Sequence, residues 1–328
     1  MAELRYIDGI NQALREEMSA DATVRVLGED VTLGGPFGAT KGLVEEFGES
    51  RIINTPISEA TIVGMAVGAA VTGLRPVLEI MFIDFITLGM DQLVNHAAKL
   101  HYMTGGQLEV PLTIRATGGV GGGYGAHHSQ SLESWFTHVP GLKVVAPYTP
   151  ADAKGLLKTA IRDNNTVLFL EHRGLYWNRG EELADGEAIP LGEAVIRRKG
   201  KDVTVLAVSK MVGTALKAAE ELSAEGIEVE VIDPRTLAPF DLDTIVTSVR
   251  RTGHLVVAHE AVETGGIGAE IAARVQETAF ADLKAPVLRV GAPFAPVPTS
   301  IALERAFVPD EQQIIAAVRQ SIGYDSAA

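Results

Sequence analysis

A chain of 328 residues, 46% of them hydrophobic and 21% charged, has the length for two domains with a core each and is too apolar to stay disordered. Its formal charge of -14 argues against a nucleic-acid or anionic-membrane surface; Arg197-Arg198-Lys199, the sole basic triplet, precedes Gly200 and reads as a solvated turn. With no cysteine, disulfides, thiolate nucleophiles and thiolate metal sites are all excluded, and with no signal-like start the expected location is cytoplasmic.

Taken in order, residues 6–19 have the periodicity of an amphipathic helix, and 23–28 that of a strand ending at an acidic loop, Glu29-Asp30. Thr55-Pro56-Ile57-Ser58-Glu59-Ala60 then opens an uncharged run, 61–74, punctuated by Gly64, Gly68 and Gly73. It is too short and too rich in small residues for a membrane span, so a buried helix is expected. The lone carboxylate at its mouth has two readings. Ser58 could cap the helix with Glu59 favoured by the helix dipole. Alternatively, Glu59 is a half-buried acid that keeps its proton well and exchanges it with a nitrogen heterocycle.

Residues 75–82 form the next expected strand, begun by the proline that stops the preceding helix. A helix over 91–103 follows, then strands at 111–115 and 142–146, a helix over 151–163 capped by Thr149, and a strand at 167–170. From about 173 to 193 the pattern dissolves into polar, glycine-containing sequence that suits a linker. A second alternating series has strands at 203–208, 227–232 and 255–258 and helices at 213–224 and 243–251. The expected fold is α/β, with two doubly wound domains over 1–185 and 186–328.

The richest glycine run, Gly118-Gly119-Val120-Gly121-Gly122-Gly123-Tyr124-Gly125, lacks the Lys-Ser/Thr of a P-loop and the distant acid of a dinucleotide fingerprint. It leads into Ala126-His127-His128-Ser129-Gln130-Ser131, and reads as a flexible backbone that brings an imidazole to a cleft. Adjacent histidines diverge and no further ligand sits at metal spacing nearby, and Ser129 lacks a nucleophile elbow. One histidine acting as proton donor or anion stabiliser is the economical reading. His96, His101, His138, His172, His254 and His259 default to structural roles. Phe85, just past the strand 75–82, is placed either to stack on a flat ring beyond the strand ends or to fill the core.

Together these segments form a series. Ile57-Ser58-Glu59, Met81-Phe82-Ile83-Asp84-Phe85, Asp91-Gln92, Gly125-Ala126-His127-His128-Ser129-Gln130-Ser131 and Pro140-Gly141-Leu142-Lys143-Val144-Val145 follow one another. Ala151-Asp152-Ala153-Lys154-Gly155-Leu156-Leu157 and Asp233-Pro234-Arg235-Thr236-Leu237-Ala238-Pro239 complete it. From about residue 4 to about 320 the chain resembles the β subunit of the thiamine-diphosphate-dependent E1 component of 2-oxo-acid dehydrogenase complexes. The resemblance implies a transketolase-like pyrimidine-binding domain followed by a transketolase C-terminal domain. It implies an α2β2 heterotetramer whose α subunit holds the diphosphate and Mg2+, and an E2 acyltransferase that receives the acyl group on its lipoyl arm. Alone, the chain would be inactive.

The resemblance assigns Glu59 the hydrogen bond to the cofactor's aminopyrimidine ring, which promotes loss of the thiazolium proton and lets that ring act as electron sink. Phe85 would pack against the pyrimidine, with Ile57 and Met81 lining the same pocket. His128 would serve near the substrate and the incoming lipoyl group, steadying adducts or donating a proton. A structural potassium ion is also implied, held largely by backbone carbonyls of Leu112, Ala160, Ile161, Asp163 and Asn165. Met81 stands where many pyruvate-type relatives carry Gln, His127 replaces a common Gln, and Glu171-His172-Arg173 leans the same way, toward the acetoin branch. The substrate stays open between acetoin and a 2-oxo acid. The rivals are a split transketolase acting on sugar phosphates and a non-catalytic subunit that only docks E2.

Overall fold

A computed structural model describes residues 3–325. The chain divides into two compact units, one running to Gly118 and resuming over Trp135–Leu191, the other formed by Gly119–Ser134 with Gly192 onward. No helix among the described residues is long and apolar enough to cross a membrane.

The first unit is built on six parallel strands in the order Ile52–Asn54, Val24–Gly28, Arg75–Phe82, Thr113–Gly118, Val167–His172, Lys143–Val145. Parallel strands buried on both faces read as continuous apolar runs, which is why Val24–Gly28 and Val167–His172 were legible. Helix Tyr6–Ala20 buries Tyr6, Ile7, Ile10, Ala13, Leu14 and Met18 at helical spacing and packs on helix Pro150–Arg162. The second helix starts on a capping box, with Asp152 N–H donating to Thr149 Oγ1 and Thr149 N–H to Asp152 Oδ2, both at 3.1 Å. Such a cap stabilises a helix by about 1 kcal/mol. Arg162 donates to Glu17, and Lys154 and Lys158 reach Glu16, across the same pair of helices.

The second unit has a five-stranded sheet. Leu288–Ala292, Leu255–Val262, Val203–Ala207 and Val229–Asp233 run parallel, and Val195–Arg198 closes the edge antiparallel. Helices Met211–Ser223, Leu242–Thr252 and Ile267–Ala279 cover it. Asp241 caps the second of these by accepting from Thr244 N–H at 3.1 Å, and Gly253, at φ +79°, ends it.

Three expectations are corrected. The helix over 91–103 is broken into a π-type turn, Gln92–Ala97, and a separate helix, Leu100–Met103. Arg197 and Arg198 lie on a strand, paired with Asp233 and Glu228, rather than in a solvated turn. Helix Glu59–Val71 is buried on one side only, through Ile62, Val63, Ala66, Val67 and Ala70, while Thr61, Met65 and Gly68 stay exposed.

Candidate active site

In the first unit, acidic side chains meet beyond the carboxyl ends of the central strands, where open parallel sheets place ligands. Glu59 is the first residue of helix Glu59–Val71 and only 7% exposed, so it faces the positive end of the helix dipole. Ser58 occupies the cap position but makes no cap bond; its hydroxyl donates instead to Thr61 Oγ1 at 2.9 Å. Of the two readings, the Ser58 cap is therefore not made.

Glu29 follows strand Val24–Gly28 directly and is 4% exposed. Burial, then the charges of Glu59, Asp30 and Glu79, push its carboxyl up to about 7. Its Oε1 is buried without a protein partner, as is Thr55 Oγ1, and Thr55 N–H donates to Gly28 O at 2.9 Å. Buried polar atoms left open in this way fit a polar ligand.

Phe85 sits on the short helix Ile83–Ile86, half-buried and edge-on to Phe82 with ring centroids 5.9 Å apart. The next turn brings Gly89 against helix Glu59–Val71, where a Cβ would lie 2.7 Å from Val63 Cγ2 and 3.4 Å from Glu59 O. That close approach places the Phe85 segment beside the start of the Glu59 helix. Met81 is half-buried on the strand before it, its carbonyl accepting from Thr117 Oγ1 at 2.6 Å, and Ile57 is 77% exposed.

Beneath these groups lies a buried ionic cluster that the sequence reading missed. Arg115 donates to Glu171 through Nε at 2.7 Å and through Nη2 at 3.1 Å, and to Glu79 through Nη1 at 2.5 Å. Tyr176 donates to Glu171 Oε2 at 2.5 Å. Burial pushes the Glu79 carboxyl and the Tyr176 hydroxyl up, while the two carboxylates hold the guanidinium charged. The available signal was a charge inside each of three strands, Glu79, Arg115 and Glu171.

The residues expected to hold potassium do gather, at the start of strand Thr113–Gly118 and the end of helix Pro150–Arg162. Arg75 Nη1 already donates to Ile161 O at 3.2 Å and to Asp163 O at 3.1 Å. Leu112 O accepts from Val167 N–H, Ala160 O from Asp163 N–H, and Asp163 Oδ1 from Asn165 N–H, with Lys143 on the other carboxylate oxygen.

The histidine loop belongs to the second unit. His127 is exposed and His128 half-buried, with His128 N–H donating to Gly125 O at 3.4 Å. Ser129 is fully buried, which removes it as an accessible nucleophile. Beside the loop lies a cavity of about 500 Å³ lined by His127, Ser129, Glu260, Phe294, Val297 and Phe307 among others. Glu133, at the loop's far end, is pushed up to about 7 by burial and by the charge of Glu260, against the pull of its own backbone hydrogen bond. Elsewhere His172 Nδ1 accepts from Gly174 N–H, His254 Nδ1 bonds Ser321 Oγ and His259 Nδ1 bonds Ala261 O.

Residues 2–178 match the family model for the transketolase pyrimidine-binding domain, and residues 192–314 that for the transketolase C-terminal domain. The chain is 47% identical to an acetoin:2,6-dichlorophenolindophenol oxidoreductase subunit beta of Bacillus subtilis over 96% of each chain. It is 48% identical to the subunit of that name in Cupriavidus necator, over 95% of this chain and 96% of that one. It is 46% identical to a mitochondrial pyruvate dehydrogenase E1 component subunit beta-2 of rice, over 97% of this chain and 86% of that one. Among solved structures, a split-gene transketolase described as an inactive beta4 tetramer aligns with TM-score 0.79 at 24% identity over 98% of this chain and 99% of that one. At that identity the likeness establishes the fold alone.

Proposed function

The chain belongs to the family of E1 β subunits of pyruvate and acetoin dehydrogenases, and from that premise we propose that it supplies the pyrimidine-binding half of a thiamine-diphosphate site completed by an α subunit. One observation carries this reading: a buried carboxylate pair, Glu59 and Glu29, at a helix start, with Phe85 on the adjoining turn. The open oxygens of Glu29 and Thr55 and the half-buried ring of Phe85 fit a flat, nitrogen-bearing heterocycle.

Glu59 would hydrogen-bond the ring nitrogen, and its low-dielectric setting would strengthen that bond. Glu29, pushed up to about 7, is about half protonated at neutral pH and could share its proton with the ring. Phe85 would pack against the ring, with Ile57 and Met81 lining the same pocket. When bound, the cofactor supplies an electron sink for breaking the bond next to the substrate carbonyl. His128 donates a hydrogen bond or proton to the oxygen that gains charge, a contribution of order 10²–10⁴ in rate. The acceptor is the lipoyl group of an E2 acyltransferase. The thioether of Met81 offers no amide to a polar substrate end, which favours acetoin over a 2-oxo acid.

Leu33, Ile57, Met65 and Leu88 expose large apolar side chains around the carboxylate site, and an α subunit covering them suits a half-site. The α subunit would hold the diphosphate and Mg2+. Potassium would share the carbonyls of Ile161 and Asp163 with Arg75 and act structurally. Identities of 44–48% to E1 β subunits over nearly the whole chain weigh against a split transketolase, whose likeness is 24% or lower.

The test is turnover of the reconstituted αβ protein with acetoin, pyruvate and a branched-chain 2-oxo acid, for the native chain and Glu59→Gln. Acetoin is expected to be the best substrate, and the variant to lose turnover by about 10²- to 10⁴-fold while still co-purifying with α. Normal turnover in Glu59→Gln would leave a docking subunit as the better reading, and failure on all three substrates would remove the dehydrogenase assignment.

A further inference from the structure

The loop that bears His128 is fastened by two buried carboxylates to which no function has yet been given. Glu304, 4% exposed on helix Ile301–Phe307, accepts the N–H of Gly123 at 2.9 Å. Glu260, 7% exposed on strand Leu255–Val262, accepts the N–H of Val120. A buried carboxylate is costly unless its oxygens find donors, and a bond from a backbone amide to a carboxylate is among the stronger kinds.

The rest of the loop follows from these two anchors. Gly119 N–H donates to Gln130 O at 3.2 Å and closes the loop at its base. Val120 is buried with Ala292, Val297 and Phe307. Gly123 and Gly125, at φ +75° and +72°, lie so close to Thr299 that added Cβ atoms would sit 3.0 Å from its carbonyl oxygen and 2.7 Å from its hydroxyl. Thr299 immediately precedes the helix that carries Glu304, and Glu304 N–H donates to Ser300 O at 2.8 Å. His128 thus stands on a segment whose glycine half lies in no helix or sheet ladder, and two of whose amides, those of Val120 and Gly123, go to Glu260 and Glu304.

We propose that Glu304, supported by Glu260, is a positioning residue for His128: it fixes the glycine loop on the C-terminal unit so that the imidazole is held ready for the acyl-transfer step. The proposal rests on the reading of His128 given above. Neither carboxylate touches the reacting atoms in this account; both act through the backbone of the loop. Displacing a catalytic group by about 1 Å costs about 10²-fold in rate, so the clamp's effect is readable kinetically.

The experiment compares Glu304→Ala, Glu304→Asp, Glu304→Gln, His128→Ala and the double variant Glu304→Ala/His128→Ala in the reconstituted αβ holoenzyme. Glu304→Ala is expected to lower kcat by about 10- to 100-fold with the KM for thiamine diphosphate and co-purification with α unchanged. Glu304→Gln keeps an acceptor oxygen in place and returns kcat to within about threefold of the native value. Glu304→Asp withdraws the acceptor by one methylene and behaves like Glu304→Ala; should the alanine variant fail to assemble, the Asp and Gln variants decide. The double variant falls no further than His128→Ala alone, as expected when one residue acts through the other. Native kcat in Glu304→Asp, or additive losses in the double variant, overturns the clamp while His128 keeps its role. Native kcat in His128→Ala instead removes the functional reading on which the clamp depends.

Discussion

The carboxylate half of the chain, in the first unit, and the histidine half, in the second, are held in place by different means. Glu59, Glu29 and Phe85 sit at the ends of regular elements: a helix start, a strand end and the turn after a strand. Their positions are set by the six parallel strands of the first unit and by one tight helix-to-turn contact at Gly89. His128 lies on an irregular loop whose shape is maintained by side chains far away in sequence, Glu260, Thr299 and Glu304. The carboxylate half therefore draws its precision from the core and loses it only when the core fails. The histidine half draws it from a few polar contacts, so single substitutions there can remove activity while leaving the fold intact.

The largest expected effect is on the core-borne half. In Arg115→Met, Glu79 and Glu171 lose their shared counter-charge while remaining buried. Removing one partner of a buried ion pair typically costs about 3–5 kcal/mol. The free energy of unfolding from urea titration is expected to drop by that amount, with turnover lost only in proportion to the folded fraction. A stable Arg115→Met protein with impaired turnover would instead tie the cluster directly to the site.

The loop half breaks differently. Gly125 adopts φ +72°, and a Cβ there would press on the Thr299 hydroxyl. Gly125→Ala carries a strain of about 1–2 kcal/mol, which the loop can relieve by shifting. The expected outcome is a small change in unfolding midpoint beside a fall in kcat of about 10-fold or more, read in the reconstituted enzyme. An unfolding loss matching the activity loss would show the two halves to be held alike.

This contrast also explains what the sequence made legible. Buried parallel strands and amphipathic helices leave periodic apolar patterns, so helix Tyr6–Ala20, strand Arg75–Phe82 and the Thr149 cap were readable within a residue or two. Glu59 stands out in the sequence as the lone carboxylate at the mouth of an uncharged run, whereas Phe85 alone reads equally as a ring-stacking or a core aromatic. Glu29 was visible only as an acidic loop, since its coupling to Glu59 depends on two strand ends meeting. Arg115 gave no local sign of its partners, which lie 36 and 56 residues away. That residues 119–134 pack with the second unit is likewise a matter of tertiary contacts, and nothing in the glycine run records which carboxylates receive its amides. The π-type turn at Gln92–Ala97 was missed because its composition is that of an ordinary helix.

The smallest effect at neutral pH sharpens the comparison by giving each half its own acid. Glu29 in the first unit and Glu133 in the second are both pushed from 4.5 up to about 7, chiefly by burial. Between those values the folded protein keeps protons that the unfolded chain has released, so their stabilising contribution is complete below about 4.5 and disappears as pH rises through about 7. Glu29→Gln and Glu133→Gln each remove one such proton, and each is expected to flatten the fall of the urea midpoint between pH 5 and pH 8. Glu59→Gln offers the discriminating control. It removes the second cause of the Glu29 shift and touches none of the causes at Glu133. The slope assigned to Glu29 should therefore shrink in that background and the slope assigned to Glu133 should not. Equal shrinkage of both would mean that the acids report a global change in charge rather than two separately built sites.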